Sequence, residues 1–204
     1  MKTLEKTKTQ NKTKEVVFEA EEIPARGMSY KLVGNRIPKD YFVTTGVGES
    51  DITIHAGSYH LALRQAGIEM CNIMSYSSIM PKIAREVKKP KVLIHGSVME
   101  SITAVADANA DERATAGIIY GWLYDKKTNE RYGGLVCEYN GNETEKFAGD
   151  QLRLSLNELY TNGYDDKYDL RDEKLTTRSF VPKKKHGTAL VAVCFVNYIY
   201  PNIS

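Results

Sequence analysis

The sequence predicts an α+β fold in which two amphipathic helices cover the faces of a largely antiparallel sheet system. Three observations carry that expectation. Two segments place apolar residues at helical spacing and are each followed by a glycine. The runs between and after them are rich in β-branched and aromatic residues. Two of those runs flank the polar string DKKTNER, whose composition suits a hairpin connection.

Along the chain, residues 1–20 (MKTLEKTKTQNKTKEVVFEA) are rich in Lys and Thr and lack an apolar signal core. They are expected to form a disordered basic extension ahead of a single domain over residues 21–204. Tyr41–Thr45 reads as a strand, and GVGESDITIHAGS, with three glycines and two acids, as a loop. From Ala56 to Ala66 the period becomes helical, with Tyr59, Ala62, Leu63 and Ala66 on one face and Gly67 at the end. Asn72–Ser75 is the next strand, and REVKKPK a charged connector. Val92–Ile102, Thr115–Tyr124 and Tyr132–Tyr139 follow as strands. Glu143–Thr161 forms the second helix, with Ala148, Leu152, Leu156 and Leu159 inward and Gly163 closing it. A polar loop, NGYDDKYDLRDEK, leads to strands near Leu175–Val181 and Thr188–Tyr198.

Bulk properties exclude several function classes. The net charge of +2 gives no overall reason to bind nucleic acid or an anionic membrane. No apolar run is long enough to span a bilayer. Cys71, Cys137 and Cys194 each lie in an apolar strand-like segment, are odd in number and show no metal-type spacing. Buried free thiols and a cytoplasmic address are expected, with no metal. Lys183–Lys185 reads as a charged hairpin tip. GVGES lacks the Gly-Lys-Ser/Thr ending of a phosphate loop.

The chemistry-bearing stretch is CNIMSYSSIMP, residues 71–81, where Ser77 and Ser78 stand between two apolar runs and ahead of a rigid Met80-Pro81. They are not in a G-x-S-x-G elbow, and no His–Asp pair can be assigned to them. A serine held in a constrained turn has another route. Its hydroxyl attacks the preceding carbonyl, the acyl group moves from nitrogen to oxygen, and elimination with hydrolysis leaves a pyruvoyl group on a new N-terminus. That route needs a trapped backbone and a donor for the oxyanion.

NIMSYSSIMPK, with ALRQAGIEMCN upstream, HGSVMESI and GGLVCEYNG downstream, resembles the pyruvoyl-dependent arginine decarboxylases from about Tyr41 to the final strand. The resemblance implies that Ser77 and Ser78 form a buried, strained scission site, cleaved between them to give a β chain of residues 1–77 and an α chain of residues 78–204 that carries the pyruvoyl cofactor derived from Ser78. It implies a four-layer αββα sandwich assembled as a homotrimer of αβ units, with active sites between protomers. The implied reaction takes L-arginine to agmatine and CO2 through a Schiff base. Glu138 matches the family's catalytic acid, and its neighbours Leu135 and Val136 are expected to desolvate it and raise its pKa. Glu138→Gln is then expected to self-cleave nearly normally but to decarboxylate poorly. Without the resemblance, Glu138 reads as a solvated strand-end glutamate. Asn72 matches a residue that assists processing, its other reading being a strand-capping amide.

One position departs from the pattern. An acidic residue normally sits on the helix before the cleavage strand, and His60 stands there instead. A protonated imidazole would repel a guanidinium. The substrate-contact candidates are therefore His60, Glu69, Asp51 and Ile79, with Glu49 as a further carboxylate. Two alternatives stay open: decarboxylation of another amino acid, and an unprocessed, non-catalytic oligomeric homologue.

Overall fold

The computed structural model describes residues 34–201, so the basic extension of residues 1–20 and its boundary at residue 21 lie outside the described residues. The chain divides into two units, one made of residues 1–37 with 199–204 and the other of Pro38–Tyr198. The second unit carries every candidate residue. The two-residue strands β1 (Ile37–Pro38) and β11 (Tyr198–Ile199) fall where one unit gives way to the other in the chain.

The second unit contains β2 (Asp40–Ser50), a π-helical turn (Ile54–Tyr59) running into α1 (His60–Ala66), β3 (Asn72–Ser75), β4 (Ile79–Pro81) and β5 (Arg85–Glu86). These are followed by β6 (Val98–Asn109), β7 (Ala114–Asp125), β8 (Arg131–Gly141), α2 (Glu145–Thr161), β9 (Tyr168–Phe180) and β10 (His186–Phe195). Two sheets result, a five-stranded one in the order β3-β6-β10-β2-β5 and a four-stranded one in the order β4-β8-β7-β9. The long pairings are antiparallel as expected, while β3–β6 and β2–β5, at the sheet edges, are short parallel pairs.

Strand alternation divides the apolar residues between layers. In β10, Val191, Val193 and Phe195 join Ile102, Ala104, Ile118, Tyr120, Trp122 and Val136 in one buried cluster, which is built from both sheets. The alternate residues Leu190, Ala192 and Cys194 meet Ala62, Leu63 and Ala66 of α1. On the four-stranded sheet, Ile119, Leu123 and Leu135 pack against Leu152 and Leu156 of α2. Because both faces of β10 are covered, ALVAVCF (Ala189–Phe195) is apolar without interruption.

The first helix ends as expected and the second does not. Gly67 closes α1 in the left-handed conformation (φ 70°), its N–H donating to Arg64 O at 3.0 Å while Ile68 N–H reaches Leu63 O. Thr144 caps α2 by accepting from Phe147 N–H, but the helix ends on Asn162 in right-handed backbone rather than on Gly163. Leu159 is 38 % exposed, so only Ala148, Leu152 and Leu156 of the expected face are buried.

Three strand boundaries also move. GVGES continues β2 instead of forming a loop. A Cβ on Gly46 would sit 2.0 Å from Ala62 O, and one on Gly48 2.2 Å from Ser58 O, so these glycines permit helix and strand to approach closely. Gly46→Ala is expected to destabilise the fold by about 2 kcal/mol or more, read as a lower urea midpoint; an unchanged midpoint would refute the close approach. The acid-rich run after Tyr168 belongs to β9, an edge strand whose charges face solvent, with a bulge where Asp172 takes φ 53°. Residues 92–97 are irregular, and β6 begins only at Val98.

The cysteines are free as expected: Cys71 and Cys194 are buried and Cys137 half-buried. Burial pushes the Cys137 thiol up to about 11 and that of Cys194 to about 12, so neither is a ready thiolate at neutral pH. Among the described residues there is no cluster fit for a metal ion, and no helix long and apolar enough to cross a membrane.

Candidate active site

β3 lies at the edge of one sheet and β4 at the edge of the other, so Tyr76, Ser77 and Ser78 carry the chain across between them. Each side of the crossing is fixed by a backbone hydrogen bond. Tyr76 N–H donates to Ser101 O at 2.8 Å in the five-stranded sheet, and Ser78 O accepts from Val136 N–H at 3.1 Å in the four-stranded sheet. The Ser77–Ser78 peptide is thus the link between two independently hydrogen-bonded frameworks.

Ile79 N–H donates to Ser77 O at 2.9 Å, closing a three-residue turn around Ser78. The carbonyl that a Ser78 alkoxide would attack therefore already has a donor on its oxygen. Ser78 Oγ donates to the Glu138 carboxylate, 2.7 Å from Oε1 and 2.9 Å from Oε2. The antiparallel pairing of β4 with β8, Ile79 opposite Leu135, brings these residues together.

Burial corrects two expectations. Ser77 is exposed and Ser78 half-buried, so within one chain the serine pair is not a buried site. Positive φ among described non-glycine residues occurs at Asp111, Asn129 and Asp172, not at the serines. Glu138 is exposed as well. Leu135 points to the α2 side of β8, and Val136, although on the Glu138 face, leaves the carboxylate exposed, so the expected shielding is not found.

Of the remaining candidates, Ile79 adjoins Ser78, whereas Glu49, Asp51 and His60 lie toward the other end of β2. Asn72 is exposed, and its side-chain amide donates to Gly96 O at 2.9 Å, fastening a turn in which Gly96 takes φ 79°. Asp51 accepts from Lys185 N–H, and Glu49 from the N–H groups of Lys183 and Lys184, so both carboxylates cap the lysine tip. Glu49 lies seven residues, about 23 Å, along β2 from Phe42. Phe42 shares the row through Cys194 to Ser101, on which Tyr76 hangs. α1 runs against β2 with Ala66 beside Thr44 and Ala62 beside Gly46, which sets exposed His60 toward the Glu49 end. Glu69, half-buried, follows the other end of α1. Ile79, 58 % exposed, directly follows Ser78.

Sequence reasoning did not single out Tyr76 and Glu100. The Tyr76 hydroxyl donates to the Glu100 carboxylate, and the Tyr76 ring packs on Phe195 with centroids 5.7 Å apart. Glu100 is only 3 % exposed. An acid inside the apolar run of HGSVMESI was the available signal.

The family model described as pyruvoyl-dependent arginine decarboxylase matches residues 40–200. A pyruvoyl-dependent arginine decarboxylase of Chlamydia abortus is 32 % identical over 192 residues, covering 81 % of this chain and 94 % of that protein. Proteins of the same name from Thermoplasma volcanium and Methanocella arvoryzae are each 32 % identical, over 69 % and 61 % of this chain and 83 % and 76 % of theirs. With the match running from the start of β2 beyond the end of β10, the chain belongs to the pyruvoyl-dependent arginine decarboxylase family.

Proposed function

We propose that the chain cleaves itself between Ser77 and Ser78 and then decarboxylates L-arginine to agmatine. The observation that carries this is the Ser78 hydroxyl donating to Glu138 beside a carbonyl whose oxygen already accepts from Ile79 N–H. Glu138 takes the hydroxyl proton as Oγ attacks the Ser77 carbonyl carbon, and Ile79 N–H stabilises the charge that builds on its oxygen. The C–N bond breaks, the amine of residue 78 takes up the proton, and Ser77 is left as an ester on Oγ. Loss of the residue-78 Cα proton expels Ser77 as a carboxylate, and water releases ammonia to leave the pyruvoyl group. These residues fit its formation, and Glu138 and Ile79 would hold it there. The pyruvoyl group would supply a carbonyl able to condense with an amine and a sink for the electron pair released with CO2. Glu138 then holds the proton to be delivered to the substrate Cα, while Ile79 offers an apolar contact for its chain.

Because its carboxylate contacts the nucleophile, Glu138 is assigned to self-cleavage as well as to decarboxylation, a revision of the expectation that Glu138→Gln cleaves normally. The helix-on-sheet and sheet-on-sheet clusters support the four-layer αββα arrangement. Exposed Met74, Ile79 and Val98, with exposed Glu138, support a trimer whose protomers close each other's sites and bring His60, Glu69 or Asp51 to a neighbour's Ser78. A cytoplasmic location, consistent with three free thiols, completes the proposal.

Purified protein is expected to resolve into residues 1–77 and a blocked chain of residues 78–204, and to release CO2 and agmatine from arginine. A chain that stays whole after prolonged incubation overturns self-cleavage. A cleaved chain that prefers another amino acid overturns arginine as substrate. His60→Asp places a carboxylate where an acid is the family pattern, and is expected to lower KM for arginine roughly tenfold, as one charged hydrogen bond would. An unchanged KM for arginine would place His60 outside the pocket.

A further inference from the structure

We propose that the hydrogen bond between Tyr76 and Glu100 is a positioning device for self-cleavage, holding the five-stranded-sheet end of the Ser77–Ser78 link so that the scissile carbonyl faces Ser78 Oγ. The inference rests on the self-cleavage reading above. The link has two anchors. On one side, Ser78 is fixed by its backbone to Val136 and by its hydroxyl to Glu138. On the other, Tyr76 is fixed by its backbone to Ser101, by its ring to Phe195 and by its hydroxyl to Glu100. Ser77 alone lies between them, exposed, and contributes the carbonyl.

Attack within one residue is sensitive to direction. The carbonyl carbon must meet Oγ while its oxygen keeps the Ile79 N–H, and that orientation depends on where the Tyr76 Cα is held. A backbone hydrogen bond at the end of a four-residue edge strand is weak restraint by itself. A tyrosine driven through to a buried acid is a much stiffer one. Glu100 stands in register with Met74, two residues before Tyr76, so the side chain ties the crossing back onto the body of β6. Burial of a carboxylate is costly, which makes an acid here an expensive choice for mere packing.

The experiment compares cleavage rates of freshly made full-length chains. Tyr76→Phe keeps the ring on Phe195 and removes only the hydroxyl. It is expected to slow cleavage roughly tenfold or more, since small misplacements of reacting groups have effects of that order. Glu100→Gln still offers an oxygen to the hydroxyl and is expected to cleave faster than Glu100→Ala. The double variant Tyr76→Phe with Glu100→Ala is expected to be no slower than the slower single one, because both remove the same bond. Melting temperatures are read in a Ser78→Ala background, where every chain stays whole. Slow cleavage with an unchanged melting temperature supports positioning. Wild-type cleavage in Tyr76→Phe overturns it, and so does slowing matched by a proportionate loss of melting temperature. If the wild-type chain itself never cleaves, the self-cleavage reading fails first and takes this inference with it.

Discussion

Ser78→Ala is expected to leave the 204-residue chain whole and without decarboxylase activity. The substitution removes one oxygen that serves as both the attacking nucleophile and the precursor of the cofactor carbonyl. Little else changes. The Val136 N–H bond to residue 78 is made by its backbone carbonyl, the Ile79 N–H bond goes to Ser77, and a half-buried serine leaves only a small gap. The protein should therefore fold normally, while cleavage falls by roughly 10⁴-fold or more, the scale seen when a nucleophile is deleted. Ser77→Ala is the control, because Ser77 supplies only its carbonyl, and it should still cleave. Denaturing electrophoresis with intact-mass measurement reads both outcomes. Cleavage in Ser78→Ala at the same bond would assign the nucleophile to another residue.

Much of the framework is legible in the sequence because its signals are local. The strand expected near Thr188–Tyr198 reads from the apolar run Ala189–Phe195, though β10 ends at Phe195, and α2 reads from Ala148, Leu152 and Leu156. The misread segments are those whose residues serve distant partners. Gly46 and Gly48 resemble loop punctuation, yet their role is to admit Ala62 O and Ser58 O, set by a helix that follows later in the chain. The start of β9 is acidic because it is an edge, a property of sheet order rather than of local composition.

The same division holds at the site. Ser77 and Ser78 are visible in the string SYSSIMP, whereas the contact of Ser78 with Glu138, sixty residues later, depends on the three-residue strand β4, too short to announce its partner. Apolar neighbours in sequence also mislead about burial. Leu135 and Val136 turn to opposite faces of β8, and Glu138, on the Val136 face three residues before the strand ends at Gly141, comes out exposed. Tyr76 and Glu100 meet only because β3 lies parallel to β6 in one particular register.

That exposed carboxylate sets the second large expectation, for Glu138→Gln. Glutamine keeps the length, the planar head and one oxygen that can accept from Ser78 Oγ, so the local geometry should survive. What it loses is the capacity to take up a proton and to give one back. In the uncleaved chain this removes the acceptor for the hydroxyl proton, and cleavage should slow by roughly 10-fold to 10²-fold. In whatever fraction matures, delivery of a proton to the substrate Cα is lost, and turnover per cleaved chain should fall by roughly 10² or more. Glu138→Asp retains the acid but draws it back by one methylene, so it should fall between Glu and Gln in both steps. Normalising CO2 release to the amount of cleaved α chain separates the two effects. Normal cleavage with poor turnover would confine Glu138 to the mature enzyme, leaving the Ser78 proton to water. Slow cleavage with normal turnover would confine it to maturation and move the donor to Cα elsewhere. Loss of both, in the order Glu, Asp, Gln, is the result expected of one carboxylate that first accepts the serine proton and later protonates the product.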